Sequence, residues 1–408
     1  MNTRNTRRGF LADMAVLASC AGIGGNLFAA ARPKFGFDIS RCDINPKFKD
    51  NPLFSGEPVC GVNFGFLAKR GYFSKENVKK MPREMRESGV NWCMLNTHFC
   101  QETFASTKIF LDPVYSSGEV ELEEIVKRLH GEGIHIAFKP CLTLLDSAWM
   151  GRVKFPDKDD HQLQGVRTCS RYWSDWFTAL RDNLRYFGEF AERNDLKAVL
   201  VGAEYTGTLR QNDEWRKLIA DFRTVYSGPC AYEFTCDPDP LAADKMNYEW
   251  NSKIDFIDDL DFLALSWYPS ARKFEGQNIF PDLPHTSLEY MLEYLKPARD
   301  QFDRKVAMYG RKPILFTETG QRSAHGCCSL PWDFNTKTSY DAQEQADYME
   351  ALFRTFADKP QFAGLFWWKW DETQKRDHYD PDPRKDRGFT IKGKPACDVF
   401  RRWSGVGG

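Results

Sequence analysis

The stretch Lys312-Pro313-Ile314-Leu315-Phe316-Thr317-Glu318 sets a short apolar run in front of a carboxylate. Ala198-Val199-Leu200-Val201-Gly202-Ala203-Glu204 repeats the arrangement. Unbroken apolar runs of this length suit strands covered on both faces, the condition of a parallel sheet. An acidic residue directly after such a run is costly unless it opens onto a polar cleft. One glutamate of this kind is ordinarily a helix cap or an ion-pair partner. Two of them at strand ends point to a shared site. A pair of carboxylates can flank a glycosidic bond, one giving a proton and one attacking the anomeric carbon.

Working outward, six further runs read as strands: 61–66, 91–96, 134–139, the weaker 229–234, 262–267 and 362–370. Helical stretches separate them at 75–87, 119–130, 173–193, 214–226, 287–302 and 341–356. Gly131 and Gly133 supply a helix stop before the third strand. Strands alternating with helices predict an α/β fold, and eight such units favour a closed (β/α)8 TIM barrel over an open sheet. Residues 379–387, rich in Asp, Pro and charge, read as a surface loop. No second domain, coiled coil or low-complexity tract is evident.

The bulk composition fits this reading. The chain has 408 residues, 42% hydrophobic and 28% charged, enough to build a large core. Lys plus Arg (56) nearly balances Asp plus Glu (57), so nothing marks a nucleic-acid or anionic-membrane partner. The 12 Trp, 15 Tyr and 32 Phe are a rich aromatic endowment. Sugar rings stack on aromatic faces, so a carbohydrate cleft would use some of them, while most Phe belongs to the core. The 12 Cys contain no Cys-x-x-Cys pair, and Cys60, Cys93 and Cys141 lie in strand-like runs as small hydrophobes. The 7 His are scattered, without a zinc-hydrolase signature, so neither a metal nor a cofactor is expected.

The first 31 residues read as an address rather than part of the domain spanning 32–408. Asn5-Thr6-Arg7-Arg8-Gly9-Phe10-Leu11 looks like a twin-arginine export signal. The run that follows is too short and too rich in Ala and Gly for a membrane span, and Ala29-Ala30-Ala31 offers a cleavage site. Leu17-Ala18-Ser19-Cys20 resembles a lipobox, so a lipid anchor on Cys20 competes with soluble export. Either way the expected destination is the periplasm or the exterior.

A family resemblance adds to these observations. It rests on Lys312 to Ser323 continuing to Pro331-Trp332-Asp333, on Phe138-Lys139-Pro140 with Trp149-Met150-Gly151-Arg152, and on Val201-Gly202-Ala203-Glu204. Leu260-Asp261-Phe262 running to Tyr268-Pro269, Glu344-Gln345-Ala346, and Gly364 to Trp370 complete it in barrel order. The chain resembles glycoside hydrolase family 113, within the clan of retaining barrel enzymes typified by β-mannanases. The resemblance implies Glu204 as acid/base and Glu318 as nucleophile, with retention of configuration and a carbohydrate substrate. Glu204 should then be protonated at rest and Glu318 ionised.

Other candidates follow from strand ends. Tyr268 is a candidate donor to Glu318, and Lys139 a ligand for a sugar hydroxyl or a partner of a carboxylate. Alternation points Trp368 and Trp370 to one side and Trp367 to the other, so Trp368 and Trp370 are candidate sugar platforms. Gln101, Trp149 and Trp267 are further candidates for lining the cleft.

The match departs at four places. Ala203 stands where many clan members have Asn, Cys141 and Thr143 stand where family mannanases have His and Asp, and Glu233 adds a carboxylate at the end of strand five. These positions should read the substrate, so a β-linked glycan other than mannan competes with a mannan-like one. A catalytically silent sugar-binding barrel and a metal-assisted hydrolase are the other readings the sequence admits.

Overall fold

A computed structural model describes residues 53–54, 58–155, 170–235, 253–274, 284–310 and 312–406. The export-signal reading of 1–31, with Cys20, lies outside them. Eight strands close into a barrel in sequence order. They are β1 (Val59–Phe64), β2 (Trp92–Gln101), β3 (His135–Leu144), β4 (Ala198–Ala203), β5 (Cys230–Thr235), β6 (Leu263–Ser266), β7 (Ile314–Thr319) and β8 (Phe362–Trp367). All adjacent pairs are parallel, and β8 returns to β1 through Val59↔Gly364 to Val62↔Trp367. The chain is therefore a (β/α)8 TIM barrel, as its alternation implied. Among the described residues no helix is long and apolar enough to cross a membrane.

The helices are α1 (Glu76–Lys79), α2 (Met81–Glu87), α3 (Glu119–Gly131), α4 (Ser170–Arg193), α5 (Asn212–Phe222), α6 (Leu288–Tyr294), α7 (Lys296–Met308), α8 (Ala342–Phe356) and α9 (Ala396–Ser404). Two stretches expected as single helices are divided. Pro82 sits in the first turn of α2 and Pro297 in the first turn of α7. Proline lacks an N–H and fits a helix start better than its interior, so each begins a new helix. The second and third strands run beyond their expected ends, pairing from Trp92↔His135 to Gln101↔Leu144. The β2 extension carries the buried polar residues Thr97, His98 and Gln101, which end an apolar run without ending the strand.

The barrel interior is layered. At one end Val59, Met94, Ala137, Leu200, Ala231, Ala264, Leu315 and Phe366 share an apolar cluster, with Leu53 and Phe54 packed against it. Side chains alternate faces, so the next inward positions along these strands include Asn63, Asn96, Lys139 and Glu233. All four are buried and form a polar belt. Asn63 Nδ2 donates to Thr317 O at 2.9 Å, and Asn96 Nδ2 to Met94 O at 2.9 Å. The apolar plug and the polar belt together leave the carboxyl ends of the strands as the open face.

Strict alternation would not bring Glu318 inward from Leu315. The pairing shifts from Leu265↔Phe316 to Ser266↔Glu318, an irregularity that re-aims the side chain. A second shift lies between Leu200 and Gly202, just before Glu204.

Closure at β8 depends on Gly364, with φ +118° and an imaginary Cβ 2.3 Å from Val59 O. Gly364→Ala should lower stability by more than about 1 kcal/mol, read as a fall in the thermal midpoint, because the backbone contact cannot yield locally.

Candidate active site

A cleft of ≈ 440 Å³ opens at the carboxyl ends of the strands. Glu204, Glu318, Lys139, Trp149, Tyr268 and Trp368 all line it. The structure thus brings six of the nine sequence candidates together.

Glu204 follows β4 with φ +59°, a left-handed conformation uncommon for a residue with a side chain. Its N–H donates to Glu233 O at 3.0 Å, which fixes the turn out of the strand. Trp149 Nε1 donates to Glu204 Oε2 at 3.0 Å. Gly151 makes room for that indole, since a Cβ there would lie 2.3 Å from Trp149 Cη2. Burial, then the charge of Glu318, raises the Glu204 pKa above the usual carboxylate range.

Glu318 has different neighbours. Lys139 Nζ donates to Glu318 Oε1, while Tyr268 OH and Ser266 Oγ reach Oε2 at 3.1 and 3.5 Å. The same ammonium donates to Glu233 Oε1 at 2.5 Å. Lys139 and Glu233 are 2% and 0% exposed. Burial opposes the Lys139 charge, but Glu233 and Glu318 together lift its pKa well above normal. Burial pushes Glu233 up to about 8 against the pull of Lys139. Glu233 Oε2 has no hydrogen-bond partner among the described residues.

Three candidates lie elsewhere. Trp267 is buried against Phe316 and Phe356, on the helix-facing side of the sheet. Trp370 is 1% exposed, and its backbone N–H donates to Asn63 O at 2.9 Å. Strand β8 ends at Trp367, so alternation does not extend to Trp370. Trp368 is the indole of this segment in the cleft, with Phe66 at its edge 4.7 Å away. Gln101 joins Trp176 Nε1 at 2.8 Å and Thr103 O at 2.6 Å, a buried structural link.

Sequence reasoning passed over other lining residues: Phe66, Met150, Thr235, Ser266, Phe334, Lys369, Glu372, Arg376 and Phe389. Most sit on loops after strands, where no periodicity marks direction. Trp332 also lines the cleft and belongs to the motif carrying the family resemblance. The expected surface loop at 379–387 is partly internal. Asp386 is 1% exposed and accepts from Lys394 Nζ at 2.7 Å.

Among the described residues, His285, Asp341 and Glu344 bring ligand atoms within 4.8 Å of one another. None of the three lines the cleft. His285 bonds Asp341 at 2.8 Å, an ion pair that lifts its pKa to about 10.

The model of Glycoside Hydrolase Family 113 matches residues 62–394. The chain belongs to this family. A solved GH113 β-1,4-mannanase is 25% identical, with a TM-score of 0.67 over 86% of this chain and 99% of that one. The GH113 β-mannanase from Alicyclobacillus acidocaldarius, solved in complex with ManMIm, is 24% identical, with a TM-score of 0.67 over 87% and 99%. A β-glucuronidase from Ruminococcus gnavus shares the fold at 15% identity and TM-score 0.52, over 86% of this chain and 50% of that one. A search of curated protein sequences finds no match. As a family 113 member the protein is a glycoside hydrolase with a carbohydrate substrate.

A raised carboxyl pKa means the folded state holds the proton more tightly than the unfolded chain, so stability drains away as pH rises above the ordinary glutamate range. Glu204→Gln removes that drain, so its thermal midpoint should gain on the parent's as pH rises above the ordinary glutamate range, read from melts across a pH series. Lys139→Met strips the shared cation from the buried Glu233 and the half-buried Glu318. It should cost about 3 kcal/mol of stability and move the acid limb of kcat/KM to higher pH, read from melts and a pH–rate profile.

Proposed function

We propose that the protein is a retaining β-glycosidase that cleaves a β-linked, mannan-like glycan by double displacement. Glu204 acts as acid/base and Glu318 as nucleophile. The contrast between the two carboxylates carries this reading. Glu204 lies in a buried setting beside an indole and a second carboxylate, which raises its pKa and suits a proton donor. Glu318 faces an ammonium and two hydroxyl groups, the partners of a carboxylate that attacks as an anion.

In the first step Glu204 protonates the glycosidic oxygen as a Glu318 oxygen bonds to the anomeric carbon and the aglycone leaves. In the second, Glu204 takes a proton from water, whose oxygen displaces Glu318. Lys139 and Tyr268 hold Glu318 in line, and Trp368 offers its face to a sugar ring. Both carboxylates with their partners are what a silent sugar-binding barrel would have no reason to keep. The export signal at 1–31 belongs to this proposal, since a glycan polymer is met outside the cytoplasm; a lipid on Cys20 would tether the same enzyme there.

Incubation with β-mannan, glucomannan, β-glucan and xylan, followed by proton NMR of the first product, tests the reading. The expected first anomer is β, and Glu318→Ala should lose turnover by at least about 1,000-fold. An α first product, or an unimpaired Glu318→Ala, would overturn it.

A further inference from the structure

The wall of the cleft beyond Trp368 has a charge balance that a neutral glycan does not use. Lys369 and Arg376 both line the cleft there. Lys369 Nζ donates to Glu372 Oε1 at 3.0 Å, and Arg376 Nε lies 3.8 Å from Glu372 Oε2. Behind them Arg322 is 2% exposed and bonds to the carbonyl oxygens of Asp333 and Thr336. Among the described residues Glu372 is the carboxylate in ion-pair contact with these cations. Lys369 and Arg376 therefore share that one carboxylate, while Arg322 is held by carbonyl oxygens.

Neighbouring groups register the excess. Burial, then Arg322, Arg376, Arg387 and Lys369, depress the pKa of His378 to about 3. Burial and Arg322 also lower that of Arg376, against the pull of Glu372. The Arg376 guanidinium lies over the Phe334 ring at 4.2 Å, which fixes its plane. Its Nε and Nη2 are engaged by Gln374 Oε1, and among the described residues Nη1 remains as a donor for a ligand. The ammonium of Lys369 stands 5.6 Å from the Trp368 ring, beside the proposed sugar platform.

We propose that this wall is a binding site for an anionic substituent on the glycan, a carboxylate or a sulfate ester. A planar guanidinium presents its N–H groups to such an oxyanion, and an ammonium adds a point charge. Excess positive charge in a low-dielectric cleft also concentrates anionic ligands ahead of contact. The bound anion takes the place of the missing second carboxylate. The inference deepens the glycosidase reading and rests on it, since the sugar must lie on Trp368 for its substituent to reach Lys369 and Arg376.

The test is an array of immobilised β-linked mannan, glucan and xylan oligosaccharides, each in neutral, uronate-bearing and sulfated form. It is probed with the full chain carrying Glu204→Gln so that bound glycan is not cleaved. The expected result is at least tenfold stronger binding to one acidic class than to its neutral counterpart. That preference should shrink as sodium chloride rises, and Arg376→Gln should reduce it to less than threefold. The salt series requires no second substitution, so it stands even if Arg376→Gln folds poorly. A preference for uronate over sulfate, or the reverse, identifies the source of the anion. Equal or stronger binding to neutral oligosaccharides overturns this inference alone. Binding to none of them overturns it together with the glycosidase reading.

Discussion

One buried ammonium organises the polar interior of this barrel. Lys139 is 2% exposed and donates to both Glu233 and Glu318. None of the three would be tolerable alone at that depth, because an isolated buried charge costs several kcal/mol after relaxation. Together they satisfy one another across three strands, β3, β5 and β7. Glu318 is thereby held on the cleft side while its second oxygen meets Tyr268 and Ser266. Glu204 lies outside this ion-paired group and takes its hydrogen bond from an indole. The difference between the two carboxylates therefore begins with which of them Lys139 touches.

The barrel was legible because its evidence is redundant. Buried parallel strands are apolar on both faces, and the helices between them keep their own period, so an error at one element leaves the alternation intact. The ends of β4 and β7 were legible for a related reason: a carboxylate after a buried run has few inexpensive explanations. Directions past the strand ends were not legible. Alternation extended beyond β8 points Trp370 into the cleft, and the place after β6 does the same for Trp267, yet both are buried outside the cleft. Glu318 faces inward through a register shift that no periodicity encodes. Gln101 lies within a strand whose polar end the apolar pattern did not include, and its partner Trp176 is distant in sequence. Lys369, Glu372 and Arg376 lie on the segment after β8, where charge by itself carries no direction.

The two halves of the cleft do different electrical work. On the side of β4, β5 and β7, carboxylates outnumber the single ammonium, and burial keeps Glu204 and Glu233 above the usual carboxylate range. On the β8 side, cations outnumber the one carboxylate paired with them. A glycan spanning both would meet proton-donating chemistry at one end and a positive field at the other. Such separation keeps the β8-side cations away from Glu204, where a cation would lower its raised pKa.

The departures from the family motif are mutually consistent in these terms. Cys141 and Thr143 replace residues that would bring a ring and a carboxylate to β3. Cys141 is buried beside Lys139 and stays a neutral thiol, since burial raises its pKa. Thr143 instead bonds His98 at 2.9 Å, and that imidazole is held neutral with a pKa near 3 by burial and then by Lys139. Lys139 is met instead by Glu233 from β5 and by Glu318 from β7. The extra carboxylate thus bonds to Lys139 across the barrel interior. Its bond to Lys139 supports the ammonium next to Glu318, while Ala203 and Cys141 line the cleft with small side chains.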